Sequence, residues 1–531
     1  KAWLGVRYKT LDGESLIRYL LAAPVELLWL GGIGTYVKAS TEKHEDVGDR
    51  ANDNVRVDAA DLGADVVGEG ANLGFTQKAR IEYSLRGGRI NTDAIDNSAG
   101  VDTSDHEVNL KILLVGLQKK NLIADYQPLF ISMTDDVCRL VLADNIAQSL
   151  CLSLEQLRCE EGSAIYLQLA ERLDAAGFFD RAEECFPQTK EVMSRPGQVI
   201  TRPELAVLMA ASKMYLTQLI QDQSTLLQEE CCSCYLQTYF PVQISKQYGA
   251  YLSGHPLAHE IKATLVSNKI INQAGCSFLS LNEGSENTLD HVTCYLTFDR
   301  VLDGDALRQA ISALDNNTSA ELQYRLLIQL ENTLVGFCRW ALMQGRKIRP
   351  NKQTVDCYLR HLKDYERYFK SDYAEFSEQL EQFRQEGIPE QLALSMVFIA
   401  SLNDFPLIVS LAAETEQDFV TTLKLFNEIT RYLGVDEVND QLAKMPMHDV
   451  WERKVLDELQ EDMKRVTGHL IKAILASKLE TCADYFDRSD QQDKISRYRR
   501  VYQEINSALP VNLFPYIALI KELGHLANGN F

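Results

Sequence analysis

The residue types best suited to chemistry lie between Asp65 and Glu107, in the stretch DVVGEGANLGFTQKARIEYSLRGGRINTDAIDNSAGVDTSDHE. Two turns rich in glycine and asparagine, GEGAN and DNSAGV, each follow a short apolar run. In α/β proteins such turns at the carboxyl ends of strands are where ligands are held. Gly68-Glu69-Gly70-Ala71-Asn72-Leu73-Gly74, after a strand and before a helix, has the composition of a dinucleotide phosphate loop, in which glycines let backbone N–H groups approach a pyrophosphate. Asp93 and Asp96 stand at about the distance expected of a ribose-binding acid. The glycine spacing departs from that motif and the preceding strand is short, so a tight strand-to-helix turn explains the same residues. Asparagine in such a turn also serves simply by tolerating a left-handed backbone.

Other clusters carry less. Cys231, Cys232 and Cys234 form a CCSC run, but zinc needs four ligands and no second paired knuckle follows. Reduced thiols on a helix are expected there. His255 and His259 in HPLAHE have the i, i+4 spacing of a helical metal pair; Pro256 fits only a first turn, and the general-base glutamate of HExxH is absent. A capping or surface role is expected, and no metal site is expected anywhere. Trp29 could flank a cofactor cleft, though core filling is the simpler reading.

The elements that must position these residues change character along the chain. Up to about residue 110 helix and strand alternate. Glu14–Leu21 places Leu16, Ile17, Leu20 and Leu21 on one helical face, and a buried strand Val25–Leu30 ends in Gly31-Gly32-Ile33-Gly34. His44–Val57 reads as a polar helix. Asp65-Val66-Val67 is a short strand, Thr76 caps a helix to Leu85, and Gly87-Gly88 ends it. This is the grammar of a parallel α/β sheet. From Val108 strand signals nearly vanish. Thr134-Asp135-Asp136 opens a helix with a hydroxyl cap, and Thr201-Arg202-Pro203-Glu204 is a capping box. Amphipathic patterns recur at Ala320–Met343, Val355–Gln385, Gln391–Leu402, Glu416–Leu433 and Val450–Ser477. Within 272–298, CSFLSL and VTCYLTF have the length and composition of short strands, and NEGSENTLD at 282–290 reads as a loop.

The bulk numbers fit a folded protein of several domains. There are 531 residues, 46% apolar and 24% charged, with a formal charge of −21, which argues against nucleic acid or an anionic membrane as partner. The twelve cysteines show no framework spacing, as expected of a reducing, cytoplasmic compartment. Tyr19–Val37 is broken by Pro24, Glu26 and three glycines, so no spanning helix is expected there. The absent initiator methionine and abrupt start are expected of a fragment or processed chain.

EGAN followed by a helix, and then NSAGVDTSDHE, resemble the paired EGAN and NAGGVxxSxxE motifs of glutamate and related amino-acid dehydrogenases. LLWLGGIGTYVKAS, DVGDRANDNVRVDAADL, MTDDVCRLVLADN, ITRPELAVLMAASK and HPLAHEIKATLVSNKIINQAG resemble, more closely, the large NAD-specific bacterial glutamate dehydrogenases. The resemblance is strong to about residue 345 and more diffuse beyond. It implies an incomplete Rossmann-like parallel sheet followed by a large, mainly helical C-terminal domain (α/β plus all-α). The divisions it implies are 1–120 for the end of the NAD-binding domain, 121–345 for a helical domain with a short strand pair near 276–298, and 346–531 for a helical bundle.

The resemblance also moves EGAN from the pyrophosphate to the nicotinamide end of NAD. It implies that Gly32, Ile33, Gly34, Gly70, Ala71, Asn72 and Asn97 line the cofactor, with the two asparagine amides orienting a carboxamide without adding charge near the positive ring. Ser104 would bind the side-chain carboxylate of glutamate. Ser98 stands where many relatives have alanine, a small-for-small change. The implied reaction is oxidative deamination of L-glutamate to 2-oxoglutarate and ammonium by a homo-oligomer. The catalytic lysine, the proton-shuttling aspartate and the phosphate-binding glycine turn find no match; Lys9, Lys38 and Lys43 lack such a context. The chain alone is therefore expected to be inactive, with no catalytic residue of its own. The competing reading is a noncatalytic helical assembly or regulatory module with a vestigial dinucleotide-binding half-domain.

Overall fold

Asp12 opens the first helix, α1 (Gly13–Leu21), by accepting the Ser15 N–H, and Pro24 separates it from strand β1 (Leu27–Leu30). These come from a computed structural model that describes residues 4, 6, 10–160, 162–222, 224–228, 230–281, 285–371, 377–445, 450–477, 482–508 and 512–527. Two compact units divide the chain, Lys1–Ser285 and Glu286–Phe531. The divisions expected at 120 and 345 fall within these units.

The first unit holds a three-stranded parallel sheet in the order β1–β4–β5, with β4 at Val66–Glu69 and β5 at Arg89–Ile90. A second parallel pair joins β2 (Val37–Lys38) to β3 (Val57–Asp58). Helix α3 (Gln77–Leu85) starts where Thr76 accepts the Ala79 N–H and is followed by Gly87 with φ +94°. Leu30, Val67, Phe75, Ala79, Tyr83 and Ile90 form the core beneath the sheet. The Tyr83 hydroxyl donates to the Ala64 carbonyl at 2.6 Å, satisfying the one polar atom that its burial would strand.

Several expectations fail here for physical reasons. The helix expected over Glu14–Leu21 is there as α1, though of its apolar face only Leu21 is buried, Leu16, Ile17 and Leu20 being exposed. β1 is an edge strand, buried on one face only, with Leu27 and Trp29 exposed. The polar helix expected at 44–57 is a single turn, α2 (His44–Val47), since Gly48 takes the left-handed φ of +77°. A short 3₁₀ turn and β3 follow it.

Beyond the sheet the unit is helical: α4 (Asp93–Asp96), α5 (Ser98–Lys119), α6 (Gln127–Ser132) and α7 (Thr134–Glu160) come first. Leu110, Leu114 and Leu117 of α5 share one core with Met133, Val137 of α7 and Phe240. That shared core runs across residue 120. Thr134 donates its hydroxyl back to the Ile131 carbonyl rather than capping α7. Helix Arg202–Asp222 does start at the expected capping box, with the Thr201 N–H and hydroxyl both donating to Glu204. Arg202 then links it to Asn91, Ser153 and Gln156. Among the described residues α7 is the single unbent helix long and apolar enough to cross a membrane; its buried side includes the carboxylate Glu155.

Every described element of the second unit is helical. Its core gathers aromatic rings, with Phe298 lying 4.8 Å from both Phe337 and Tyr358, and Phe405 6.1 Å from Phe419. The strand pair expected near 276–298 is not there. CSFLSL is a 3₁₀ segment, Cys276–Leu281, and VTCYLTF lies within the helix Ser285–Val301. Val292, Cys294, Tyr295, Leu296 and Phe298 are all buried, and an apolar run buried all round has no face to separate strand from helix. The loop expected at 282–290 falls partly outside the described residues, and the chain is helical from Ser285.

Candidate functional site

Parallel register brings the two glycine loops together. Leu30 of β1 pairs with Glu69 of β4, so Gly31 and Gly70 leave the carboxyl edge of the sheet side by side, the usual ligand position of an open α/β sheet. Gly68 and Gly70 answer first to Trp29. A Cβ on Gly68 would lie 2.5 Å from its Cε3 and one on Gly70 2.5 Å from its Cζ2. The indole therefore rests on the bare backbone of the GEG strip while remaining 58% exposed. Core filling is not its role.

A buried charge network fixes the turn that follows. Arg80 of α3 donates to both Glu69 oxygens, at 2.7 and 2.9 Å, and Phe75 N–H donates to the same carboxylate at 3.0 Å. Burial opposes the Arg80 charge, but Glu69, and then Asp93 and Asp96, hold its guanidinium above the ordinary arginine value. Asp96 accepts from the Glu69 N–H at 2.9 Å and from Asn91 at 2.6 Å, and burial raises its pKa. Asp93 accepts from Leu73 N–H at 2.8 Å. Leu73 carries φ +59°, a conformation costly for a side chain with no local hydrogen bond to offer. The acids at the ribose-binding distance are thus braces for the turn.

That brace aims Asn72 across the sheet edge. Asn97, between α4 and α5, donates its Nδ2 to Asn72 Oδ1 at 2.7 Å. The second glycine-rich motif is accordingly a junction of two helices rather than a strand-end turn. Both asparagines line a cleft of about 430 Å³ together with Val101, Asp102, Asp105 and Asp144, a volume within the range of small-molecule sites. A larger depression of about 740 Å³ beside α1 involves neither asparagine. Asp102 is pushed up to about 6 by burial and by Asp144, against the opposing pull of His106.

The remaining candidates scatter. Ala71 is buried beside Asn72, Ile33 is 85% exposed, and a Cβ on Gly34 (φ +119°) would strike Asn52. Gly32 has open space around it. Ser104 is exposed on α5, two turns beyond Asn97, and is not among the residues lining the cleft. His255 accepts the Leu257 N–H and its Nε2 meets the Asn109 carbonyl, whereas His259 meets Gln221. The two rings serve different partners, and His255 is a buried cap. Cys232 is buried and Cys234 exposed on the helix Glu230–Tyr239; the Cys231 side chain and Lys9 lie outside the described residues. Sequence reasoning missed Glu69 and Arg80. A glutamate inside an otherwise apolar strand was the available signal, since such a charge needs a partner.

A small parallel sheet with a cleft at its carboxyl edge, followed by a mainly helical remainder, defines the chain as an α/β type with a helical extension. The family model described as "Bacterial NAD-glutamate dehydrogenase, catalytic domain" matches residues 1–155, and "Glutamate dehydrogenase, C-terminal" matches residues 197–525. The chain belongs to the bacterial NAD-glutamate dehydrogenase family. It is 32% identical to an NAD-specific glutamate dehydrogenase of Halomonas elongata and 34% identical to one of Pseudomonas aeruginosa, in each case over all of this chain and 34% of the relative. A third, from Mycobacterium tuberculosis, is 32% identical over 93% of this chain and 31% of its own length. The chain spans about a third of the curated relatives it matches.

Proposed function

We propose that this chain supplies the nicotinamide-side wall of an NAD-dependent glutamate dehydrogenase that converts L-glutamate to 2-oxoglutarate and ammonium. The observation that carries the reading is the Asn97–Asn72 hydrogen bond of 2.7 Å over the cleft, set at the carboxyl edge of the parallel strands. Two linked neutral amides offer donor and acceptor positions to a carboxamide and its ribose, and the acidic lining tolerates a positive nicotinamide ring. Bound NAD supplies the hydride acceptor; the chain's own residues orient it. Gly32, Ile33, Gly34, Gly70 and Ala71 are the backbone segments that pass beside it in this reading.

The lining holds Asp93, Asp102, Asp105 and Asp144 and no lysine or arginine. Glutamate brings two carboxylates, so the groups that neutralise them must come from outside these lining residues. The chain alone is therefore inactive in this reading. Purified chain assayed with glutamate and NAD should give no turnover, and appreciable NADH formation would overturn that part. In the full-length enzyme, Asn97→Ala should lower kcat/KM for NAD about threefold to tenfold, the worth of one neutral hydrogen bond. In this reading the glutamate side chain reaches beyond the NAD cleft to Ser104, so Ser104→Ala should raise the glutamate KM by about tenfold, as for a hydrogen bond to a charged group, and leave the NAD KM unchanged. Equal effects on both constants would remove Ser104 from the substrate site. We place the enzyme in the cytoplasm, as a homo-oligomer to whose assembly the helical body contributes; deletion of residues 286–531 should change the oligomer's sedimentation, and an unaltered oligomer would count against that role.

A further inference from the structure

One corner of the cleft is left chemically unfinished. Asp102 and His106 are i, i+4 on α5 and so share one face, while Asp144 reaches the same point from α7. His106 is only 4% exposed, and its Nε2 has no hydrogen-bond partner. The Oδ2 of Asp102 is likewise buried without a partner. His106 Nε2 stands 3.8 Å from Asp102 Oδ1 and 3.8 Å from Asp144 Oδ2, beyond hydrogen-bond reach. One ligand atom from each of the three residues lies within 4.8 Å of the others.

A buried polar atom without a partner is costly, and two of them beside a second carboxylate are rarely left so. Neutral imidazole nitrogen and two carboxylates present only lone pairs to the point they surround. A cation satisfies all three at once. We propose that Asp102, His106 and Asp144 bind one divalent transition-metal ion, through His106 Nε2 and one oxygen of each carboxylate. Mixed nitrogen and oxygen donors suit Zn²⁺, Co²⁺ or Mn²⁺. Tetrahedral ligands at zinc distances stand about 3.4 Å apart, so the two 3.8 Å spacings to His106 close by a few tenths of an ångström, and the spacing between the carboxylates, at most 4.8 Å, by about 1.4 Å at most. Asp144 can make that movement, because its side chain is partly exposed. The His106 ring is already fixed: it stacks on Tyr239 at 4.4 Å and 18°, and the Tyr239 hydroxyl is held by Asn109 at 2.7 Å.

Asp102 and Asp144 line the cleft below Asn72 and Asn97, so the coordination positions left open face it. The ion would offset the repulsion between the two carboxylates and place a positive centre in a cleft whose lining residues carry none. This inference does not depend on the dehydrogenase reading, because it is tested without NAD or glutamate.

The test is calorimetric titration of the chelator-treated 531-residue chain with ZnCl₂, paralleled by visible absorption during titration with CoCl₂. One ion per chain is expected, with the ligand-field bands of a four- or five-coordinate Co²⁺ site. Asp144→Asn should weaken binding by about tenfold or more, a loss of the size that even supporting groups of a metal site produce. Asp174→Asn, which alters an exposed carboxylate on another helix, should leave it unchanged. His106→Gln should abolish the Co²⁺ bands; should that buried change unfold the protein, the partly exposed Asp144 variant, checked by circular dichroism, still decides. Absence of saturable binding, or equal binding in wild type and Asp144→Asn, would overturn the site and leave a protonated His106 between two carboxylates as the explanation.

Discussion

At the scale of single residues, the Glu69–Arg80 pair does most to hold the asparagine turn in place. Both side chains are nearly inaccessible and bonded twice to each other. Taking away one member strands a buried charge, which typically costs about 3–5 kcal/mol. Arg80→Leu should lower the urea midpoint of the first unit accordingly, and a loss under about 1 kcal/mol would mean the carboxylate finds water or another partner. Gly70 poses a different constraint. Its missing Cβ admits the Trp29 indole, and that ring is exposed enough to swing away. Gly70→Ala should therefore change tryptophan emission with little change in stability, and the spectral change should vanish in a Trp29→Phe background. The asparagines were legible in the sequence as types in a motif. Their hydrogen bond was not, because 25 residues and a helix separate them.

Among elements, caps and end signals were read more reliably than the identity of buried runs. The helix Ala320–Met343 has the bounds expected from its periodicity, since it turns a polar face to solvent, and Val450–Ser477 is helical throughout, as expected. Thr76 caps α3 as its sequence position indicates and also donates its hydroxyl to Glu42 at 2.6 Å. Thr76→Ala should cost about 1 kcal/mol, measured by chemical denaturation, and Thr76→Ser should recover most of it. Buried runs were misread where the decisive contacts are remote. Gly275 shows this at the end of helix Ala258–Ala274: it sits at φ +87°, and a Cβ there would strike Glu155 of α7. The CSFLSL segment that follows is turned by this glycine rather than paired as a strand, with Cys276 N–H donating to Glu155 at 3.0 Å.

For the molecule as a whole, stability also responds to pH through groups that are not part of the cleft. His291, buried in the second unit, has its pKa lowered to about 4, chiefly by burial. The unfolded chain, with an ordinary value near 6.5, then takes up the proton first. The stability His291 contributes is complete above pH about 6.5 and is lost as pH falls toward 4. Between pH 7 and 5 that amounts to about 2 kcal/mol. Urea titrations of wild type and His291→Gln at both pH values should show the wild type losing more, and parallel losses would mean that His291 is solvated in the folded state.

The sequence by itself determined the family, the parallel α/β start, the helical remainder and the identity of the cleft asparagines. Each of these is written in short-range pattern: turn glycines, capping residues, hydrophobic period and contiguous motif. Only the tertiary structure decided that Asp93 and Asp96 brace the turn, that Trp29 lies on glycine backbone, and that Ser104 stands apart from the cleft. It also decided that His106 meets both Asp102 and Asp144 at one corner of the cleft. Those outcomes depend on which helix faces which strand, and that choice is made by burial and charge pairing summed over residues far apart in the chain.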